Sequence, residues 1–234
     1  MTYDTLSFNL KVDVVTRCHF RGIKLLPKQT FFNLPKDKKD HLLYAVEKEF
    51  SRVPLYEASI SNIVKTADIP RGSFYQYFED KEDAYFYLLN EQVEAKKNQF
   101  LKCLQEHDGN VFDAVIQVFE LALEGNPNDQ ELLFLKNAFL NMTHEIESKL
   151  NRIFNVDGSI DKIEEIDALI DKNNLNINND DELHHVMQII SMVIFRNLIE
   201  KYAHNLTYEQ AIENFKIQIN LLKNGLGKHT NVNN

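Results

Sequence analysis

Apolar residues recur every three or four positions from about residue 35 almost to the C-terminus. Leu42, Leu43, Val46 and Phe50 form the first such face of a helix. Pro35 suits the start of this helix, where the missing N–H has no partner in any case. No two alternating segments pair convincingly as strands. The pattern therefore predicts an all-α protein.

Turn-forming residues separate the predicted helices in the second half of the chain. Gly109-Asn110 and Gly125-Asn126-Pro127-Asn128 interrupt the helices, and Thr207 with Gln210 predicts a capping box. Gly225 is typical of a helix C-terminus. We expect a poorly ordered N-terminal arm at residues 1–33, a helix-turn-helix domain at 34–82, a C-terminal helical bundle at 83–226 and a tail at 227–234.

Two short helices joined by a tight turn are predicted at residues 59–67 and 70–78. Ser59 is placed to cap the first of these short helices. The apolar face of that helix is formed by Ile60, Ile63, Val64 and Ala67. Asp68 falls in the turn, where Asp tolerates left-handed backbone. This spacing is that of a helix-turn-helix.

The second short helix combines aromatic and polar residues. Phe74 and Phe78 are four positions apart and are predicted to face inward. The residues predicted to face outward are Arg71, Ser73, Gln76 and Tyr77, with Tyr75 at the edge. Arg suits a guanine edge and Gln an adenine edge in the DNA major groove. The alternative is a packed three-helix unit whose aromatics are core. It requires Tyr75 and Tyr77 to share one helix face with both phenylalanines, which helical geometry opposes.

The segments 59–64 and 70–81 resemble the DNA-binding domain of the TetR family of bacterial repressors. The similarity extends from Leu34 to Leu89 and is carried by Gly72-Ser73-Phe74-Tyr75 and by Lys81, three residues beyond Phe78. Three positions depart from the family pattern. Asp68 replaces the usual turn Gly, Pro70 replaces a capping Ser, and Tyr77 replaces a common His.

The resemblance implies a repressor that binds a palindromic double-stranded DNA operator as a homodimer and is released by a small-molecule effector. Arg71 and Gln76 would read bases, and Gly72 would let the backbone approach a phosphate. The residues that would mainly contact phosphates are Ser61, Ser73, Tyr75, Tyr77 and Lys81. Contact with a base is the further alternative for Tyr77, and Ser59 would cap the first short helix.

The C-terminal bundle carries two further hypotheses. We predict a dimer surface on the last two helices that includes Val193, Asn197, Phe215, Ile219 and Leu222. We predict an effector pocket among the middle helices that includes Phe112, Phe119, Phe139, Met142 and Met187. In both cases an apolar stripe that packs only within the chain is the alternative.

Charge and composition fit this interpretation. Residues 1–81 hold 13 Lys and Arg against 10 Asp and Glu, whereas residues 82–234 hold 13 against 25, within a net charge of −9. The basic end is the one expected to meet DNA. Only Cys18 and Cys103 occur, with no zinc-site spacing, no signal peptide is evident, and no apolar run reaches the roughly 18 residues of a membrane span. A cytoplasmic protein without a cofactor or bound metal is expected.

Two other classes of protein remain open. The segment Asp180-Asp181-Glu182-Leu183-His184-His185 could belong to a metal-dependent or other helical enzyme. Adjacent histidines on a helix point about 100° apart, however, and do not chelate one ion by themselves. An interaction protein that no longer uses its helix-turn-helix is the other alternative.

Overall fold

The computed structural model of the chain describes residues 27–124, 129–154 and 163–225, and every regular element within them is helical. The all-α prediction is confirmed. The helices are α1 Gln29–Phe32, α2 Lys36–Arg52, α3 Ile60–Thr66, α4 Arg71–Tyr77, α5 Lys81–Glu106, α6 Val111–Leu123, α7 Gln130–Leu140, α8 His144–Asn151, α9 Ile163–Leu169, α10 Asp180–Ala203 and α11 Tyr208–Asn224.

Helices α2, α3 and α4 form the predicted helix-turn-helix unit. Ile63 of α3 and Phe74 of α4 are fully buried against the apolar face of α2 and the start of α5. Asp68 in the turn has a φ of 50°, the left-handed conformation predicted for it. The turn therefore tolerates the loss of the more usual glycine, because Asp adopts this backbone more readily than most residues.

The segment 27–33 packs on the helix-turn-helix unit, although the sequence predicts an arm up to residue 33. Phe31 of α1 is fully buried, and its ring lies 5.1 Å from that of Phe78 and 5.0 Å from that of Tyr87. Packed structure therefore begins before the boundary drawn from periodicity. The remainder of the predicted arm, residues 1–26, and the tail lie outside the described residues.

The C-terminal domain is built around α5 and the hairpin of α10 and α11. The side chain of Asp80 accepts the N–H of Asp83 and caps α5, and Thr207 with Gln210 forms the predicted capping box of α11. Gly225 ends α11 at a φ of 80°. The capping box and the helix end at Gly225 confirm the sequence signals. The Ser59 hydroxyl, in contrast, makes no capping hydrogen bond to α3.

The two domains meet where α7 packs along α2. The Asn137 side chain of α7 donates to the carbonyl oxygens of Phe50 and Ser51 at 3.0 and 2.9 Å. These carbonyls lie in the last turn of α2, where helix carbonyls have no partner within the helix. These bonds join α7 directly to the end of α2, the helix on which α3 packs.

Candidate DNA-binding surface

One side of helix α4 is polar and faces outward, and the opposite side is apolar and faces the core. Phe74 and Phe78 are fully buried, whereas Arg71, Gly72 and Gln76 are exposed. Ser73 and Tyr77 are half-buried, and the Tyr77 ring packs partly against the core. Tyr75 retains 39% of its surface, so the alternative in which the tyrosines join the phenylalanines in the core does not hold for it.

Three of the predicted DNA-contacting side chains are joined in one cluster. The Arg71 guanidinium donates to Ser61 Oγ of α3 at 2.8 Å and to the Tyr75 hydroxyl at 3.2 Å. It also lies 5.8 Å from the centre of the Tyr75 ring, within the range of a cation–π contact. These contacts orient the guanidinium on the outer side of α4, and such preorganisation would lower the entropy cost of the predicted DNA contact.

Lys81 is engaged within the protein. Its ammonium donates to the carbonyl oxygens of Tyr56 at 3.0 Å and Ala58 at 3.1 Å. These carbonyls belong to the segment that leads into α3, so Lys81 fixes the entry of that helix. Since an ammonium has three N–H donors, one remains for the predicted phosphate contact.

Glu49 is a positioning residue that the sequence pattern does not reveal. Its carboxylate is buried and accepts the Ser59 N–H at 2.8 Å, the Asn62 side chain at 3.1 Å and the Arg52 guanidinium at 2.9 Å. Burial opposes ionisation, but these hydrogen bonds prevail, so the pKa of Glu49 lies below its ordinary value. The available signal was its place beside Phe50 on the buried face of α2.

Gly72 gives opposite expectations for stability and for DNA binding. A Cβ added there would meet no atom within 4 Å, so Gly72→Ala is expected to stabilise the protein by about 1 kcal/mol through helix propensity. The same methyl group would stand on the side of α4 predicted to approach a phosphate, and operator affinity should fall. Chemical unfolding and fluorescence anisotropy measure the two effects, and an unchanged affinity would contradict the close approach.

Two cavities lie in the C-terminal domain and at its border. The first, of about 180 Å³, lies among α5, α6, α7 and α10. The second, also about 180 Å³, lies between the start of α5 and the α7–α8 segment and includes Asn137. The residues that line the first are Lys96, Leu121, Ala122, Glu124, Asp129, Glu131, Leu132, Leu135, Phe139, Leu198 and Tyr202.

The five residues predicted for an effector pocket do not lie together at either cavity. Phe139 alone among them lines one of the two. Phe112 and Met187 are buried in the core, and Met142 is partly buried against it. Phe119 is fully buried and stacks on Phe215 of α11 with 4.0 Å between ring centres. The apolar stripe of α6 is therefore packed core, because its ring contacts are already made within the chain.

The residues predicted for the dimer surface differ in how much of each side chain a second chain could reach. Phe215 and Ile219 have no exposed surface in a single chain, so their side chains cannot contact a second one. Val193 and Leu222 are partly buried against the core, and Asn197 is buried with its amide on Gln218 at 2.9 Å. The most exposed large aliphatic residues of α10 and α11 are Ile189, Met192, Ile217 and Leu221.

The histidines of the helical bundle are not gathered into a metal site among the described residues. His185 contacts Gln188 on its own helix at 3.2 Å, and His204 contacts Glu200 at 3.0 Å. The rings of His184 and His185 lie 6.0 Å apart, as their adjacent positions on α10 require. Within the same ranges, no helix combines the length and the apolar character needed to cross a membrane.

Comparison with known proteins identifies the architecture. Residues 42–86 match the family of bacterial regulatory proteins, tetR family, and residues 110–226 match a tetracyclin repressor-like C-terminal domain. The HTH-type transcriptional repressor NemR of Escherichia coli K12 is 30% identical over 87 residues, which span 37% of this chain and 44% of NemR. The chain thus matches less than half the length of this curated relative.

Solved structures show the same fold over most of the chain. The fatty acid degradation regulator FadR from Bacillus halodurans has a TM-score of 0.58 at 19% identity, with 80% of this chain and 99% of that chain covered. The reduced form of Escherichia coli NemR has a TM-score of 0.54 at 18% identity, with 78% and 95% covered. With a family match in both domains and this shared fold, the chain belongs to the TetR family of bacterial transcriptional regulators.

Proposed function

We propose that this regulator is a repressor that binds a palindromic operator as a homodimer and is released by a small-molecule effector. The outer side of α4, with Arg71 oriented by Ser61 and Tyr75, is the observation that supports the DNA contact most directly. Arginine in this setting can donate two hydrogen bonds to one guanine, and Gln76 can pair with adenine. The enzyme alternative has no support from the regulator family.

The homodimer is proposed to form through the exposed apolar residues of α10 and α11. Ile189 and Met192 lie one turn apart on α10, and Ile217 and Leu221 lie one turn apart on α11, with between 44% and 57% of each side chain exposed. Two copies of this helix pair would make a four-helix bundle around a two-fold axis. Such a dimer presents two copies of α4 to successive turns of the same DNA groove.

The first cavity is the proposed effector site. Leucines and Phe139 supply an apolar floor, and burial raises the pKa of Tyr202 to about 12, so its phenol stays neutral. At the mouth, Lys96 pairs with Glu131 at 2.9 Å, which leaves the carboxylates of Glu124 and Asp129 in excess. An apolar effector that carries no negative charge fits this lining best.

The connection from effector to operator is proposed to run through α7. This helix supplies four residues of the first cavity and also holds the end of α2 through Asn137. An effector that fits the cavity better when α7 is displaced would shift the population toward that state. Since α2 supports α3 and α4, the two copies of α4 would then be wrongly spaced for the operator.

Titration of the DNA just upstream of the protein's own gene tests this function. We expect a bound duplex whose affinity falls by about 10³-fold or more between 50 and 200 mM salt, because several phosphates are neutralised. Addition of a metabolite pool should release the protein, and a metal chelator should have no effect. The proposal would be rejected in favour of an interaction protein if DNA binding depended on neither salt nor sequence, or if the protein bound none of the duplexes.

A further inference from the structure

We propose that the segment 27–33 positions the recognition helix α4 by holding the carbonyl groups at its C-terminal end. The segment would act through α4, without reading DNA itself. This inference rests on the proposed DNA contact of α4 and adds a part of the chain outside the matched helix-turn-helix region, which begins at residue 42.

The last four carbonyls of α4 are all engaged, and three of them by this segment. Within the helix, Phe78 N–H donates to the carbonyl of Phe74. The ammonium of Lys28 donates to the carbonyl of Tyr75 at 2.9 Å, and its backbone N–H donates to the carbonyl of Tyr77 at 2.7 Å. The Thr30 hydroxyl donates to the carbonyl of Gln76. The last four carbonyls of a helix otherwise depend on water or a cap.

An aromatic cluster anchors the segment while it makes these bonds. Phe31 is fully buried against Phe78 and Tyr87, and the Lys39 ammonium lies 4.8 Å from the centre of its ring. Lys28 also lies 3.6 Å from the Glu79 carboxylate. These contacts therefore hold the three donors in place next to Phe78, the residue at which α4 ends.

Position matters here because α4 is short. A helix of seven residues is too short to be stable alone in water and depends on its surroundings. The carbonyls that the segment holds belong to Tyr75, Gln76 and Tyr77, whose side chains are predicted to face DNA. A positive charge at a helix C-terminus is additionally favourable. Loss of the segment's bonds should free the last turn of α4 and shift Gln76 relative to the DNA bases.

Thr30→Val tests the proposal, with Thr30→Ser as its matched control. Val keeps the shape but removes the hydroxyl donor, whereas Ser keeps the donor. We expect Thr30→Val to speed hydrogen exchange of the amides of residues 75–78 roughly three- to tenfold, as the loss of one hydrogen bond predicts. Affinity for an operator selected with the parent protein should fall by a similar factor. The salt dependence and nonspecific binding should not change, and Thr30→Ser should restore both readouts.

Lys28→Met provides a second variant, with Lys36→Met as the control for loss of one charge. Lys36 is exposed at the start of α2, and among the residues described its side chain makes no hydrogen bond or ion pair. Hydrogen exchange of the amides of residues 75–78 should be faster than in the parent in Lys28→Met but not in Lys36→Met. Parental exchange in both Thr30→Val and Lys28→Met would overturn the proposal, as would faster exchange with unchanged operator affinity. Hydrogen exchange is measured without DNA and tests the support of α4 by itself. If the parent protein bound no duplex, that result would count against the proposed DNA contact only.

Discussion

Replacement of both Met192 and Ile217 by glutamate is expected to separate the homodimer and to weaken operator binding by about 10²- to 10⁴-fold, the usual gain from linking two sites. Their side chains are 57% and 53% exposed in one chain, so the change leaves the core intact. In the proposed bundle they meet a partner, and like charges would be buried there. A single α4 would then contact only one half-site.

Sedimentation and operator titration measure this effect together. The double variant Met192→Leu with Ile217→Leu is the matched control, since it changes the same two exposed positions but keeps them apolar. It should remain dimeric and bind the operator as the parent does. A double glutamate variant that is still a dimer would show that the interface lies elsewhere, and a monomer with parental affinity would reject binding to paired half-sites.

Arg71→Ala is expected to reduce operator affinity by about 1–3 kcal/mol and to relax the preference at one base pair, as the loss of a bidentate base contact would. The side chain is exposed and its partners Ser61 and Tyr75 are exposed too, so folding should change little. Arg71→Lys keeps the charge but not the planar pair of donors.

The two substitutions separate base reading from attraction to phosphates. If Arg71 reads a base, Arg71→Lys should lose nearly as much specificity as Arg71→Ala while it retains nonspecific affinity. Affinities for the selected operator and for each single-base variant of it measure the difference. Equal losses on all duplexes in Arg71→Ala would assign Arg71 to a phosphate, and no loss would place the docking surface elsewhere.

The helix-turn-helix was predictable because its signals are local. Ile60, Ile63 and Val64 repeat at helical spacing, and Asp68 marks a turn whose positive φ the structure shows. The capping box at Thr207 and Gln210 depends on two residues three positions apart. Such features involve only neighbouring residues and need no knowledge of the tertiary fold.

The partners of each helix face were not predictable in this way. The stripe through Phe215 and Ile219 identifies a buried face of α11, but periodicity does not say whether the chain itself or a second copy covers it. The stack of Phe215 on Phe119, from α6, settles the matter within one chain. Glu49 was missed because an acidic residue in a helix is normally read as exposed.

The segment 27–33 escaped prediction for a related reason. Helix α1 has only four residues, too few to show a period, and Lys28 meets Tyr75 at a separation of 47 residues. Contacts of this range leave no pattern in a single sequence. The proposed cavity likewise draws its lining from four separate helices.

The bonds from Lys28 and Thr30 reach only main-chain oxygen atoms of the last turn of α4. Every amino acid supplies such an oxygen, so the exposed side chains at positions 75 and 76 can be exchanged without loss of this support. In the proposed DNA contact, substitution of Gln76 would change the preferred operator sequence while the end of the helix keeps these bonds. A library randomised at Gln76, with Tyr75 kept because its hydroxyl accepts from Arg71, would be a practical starting point for redirecting this regulator to a chosen promoter.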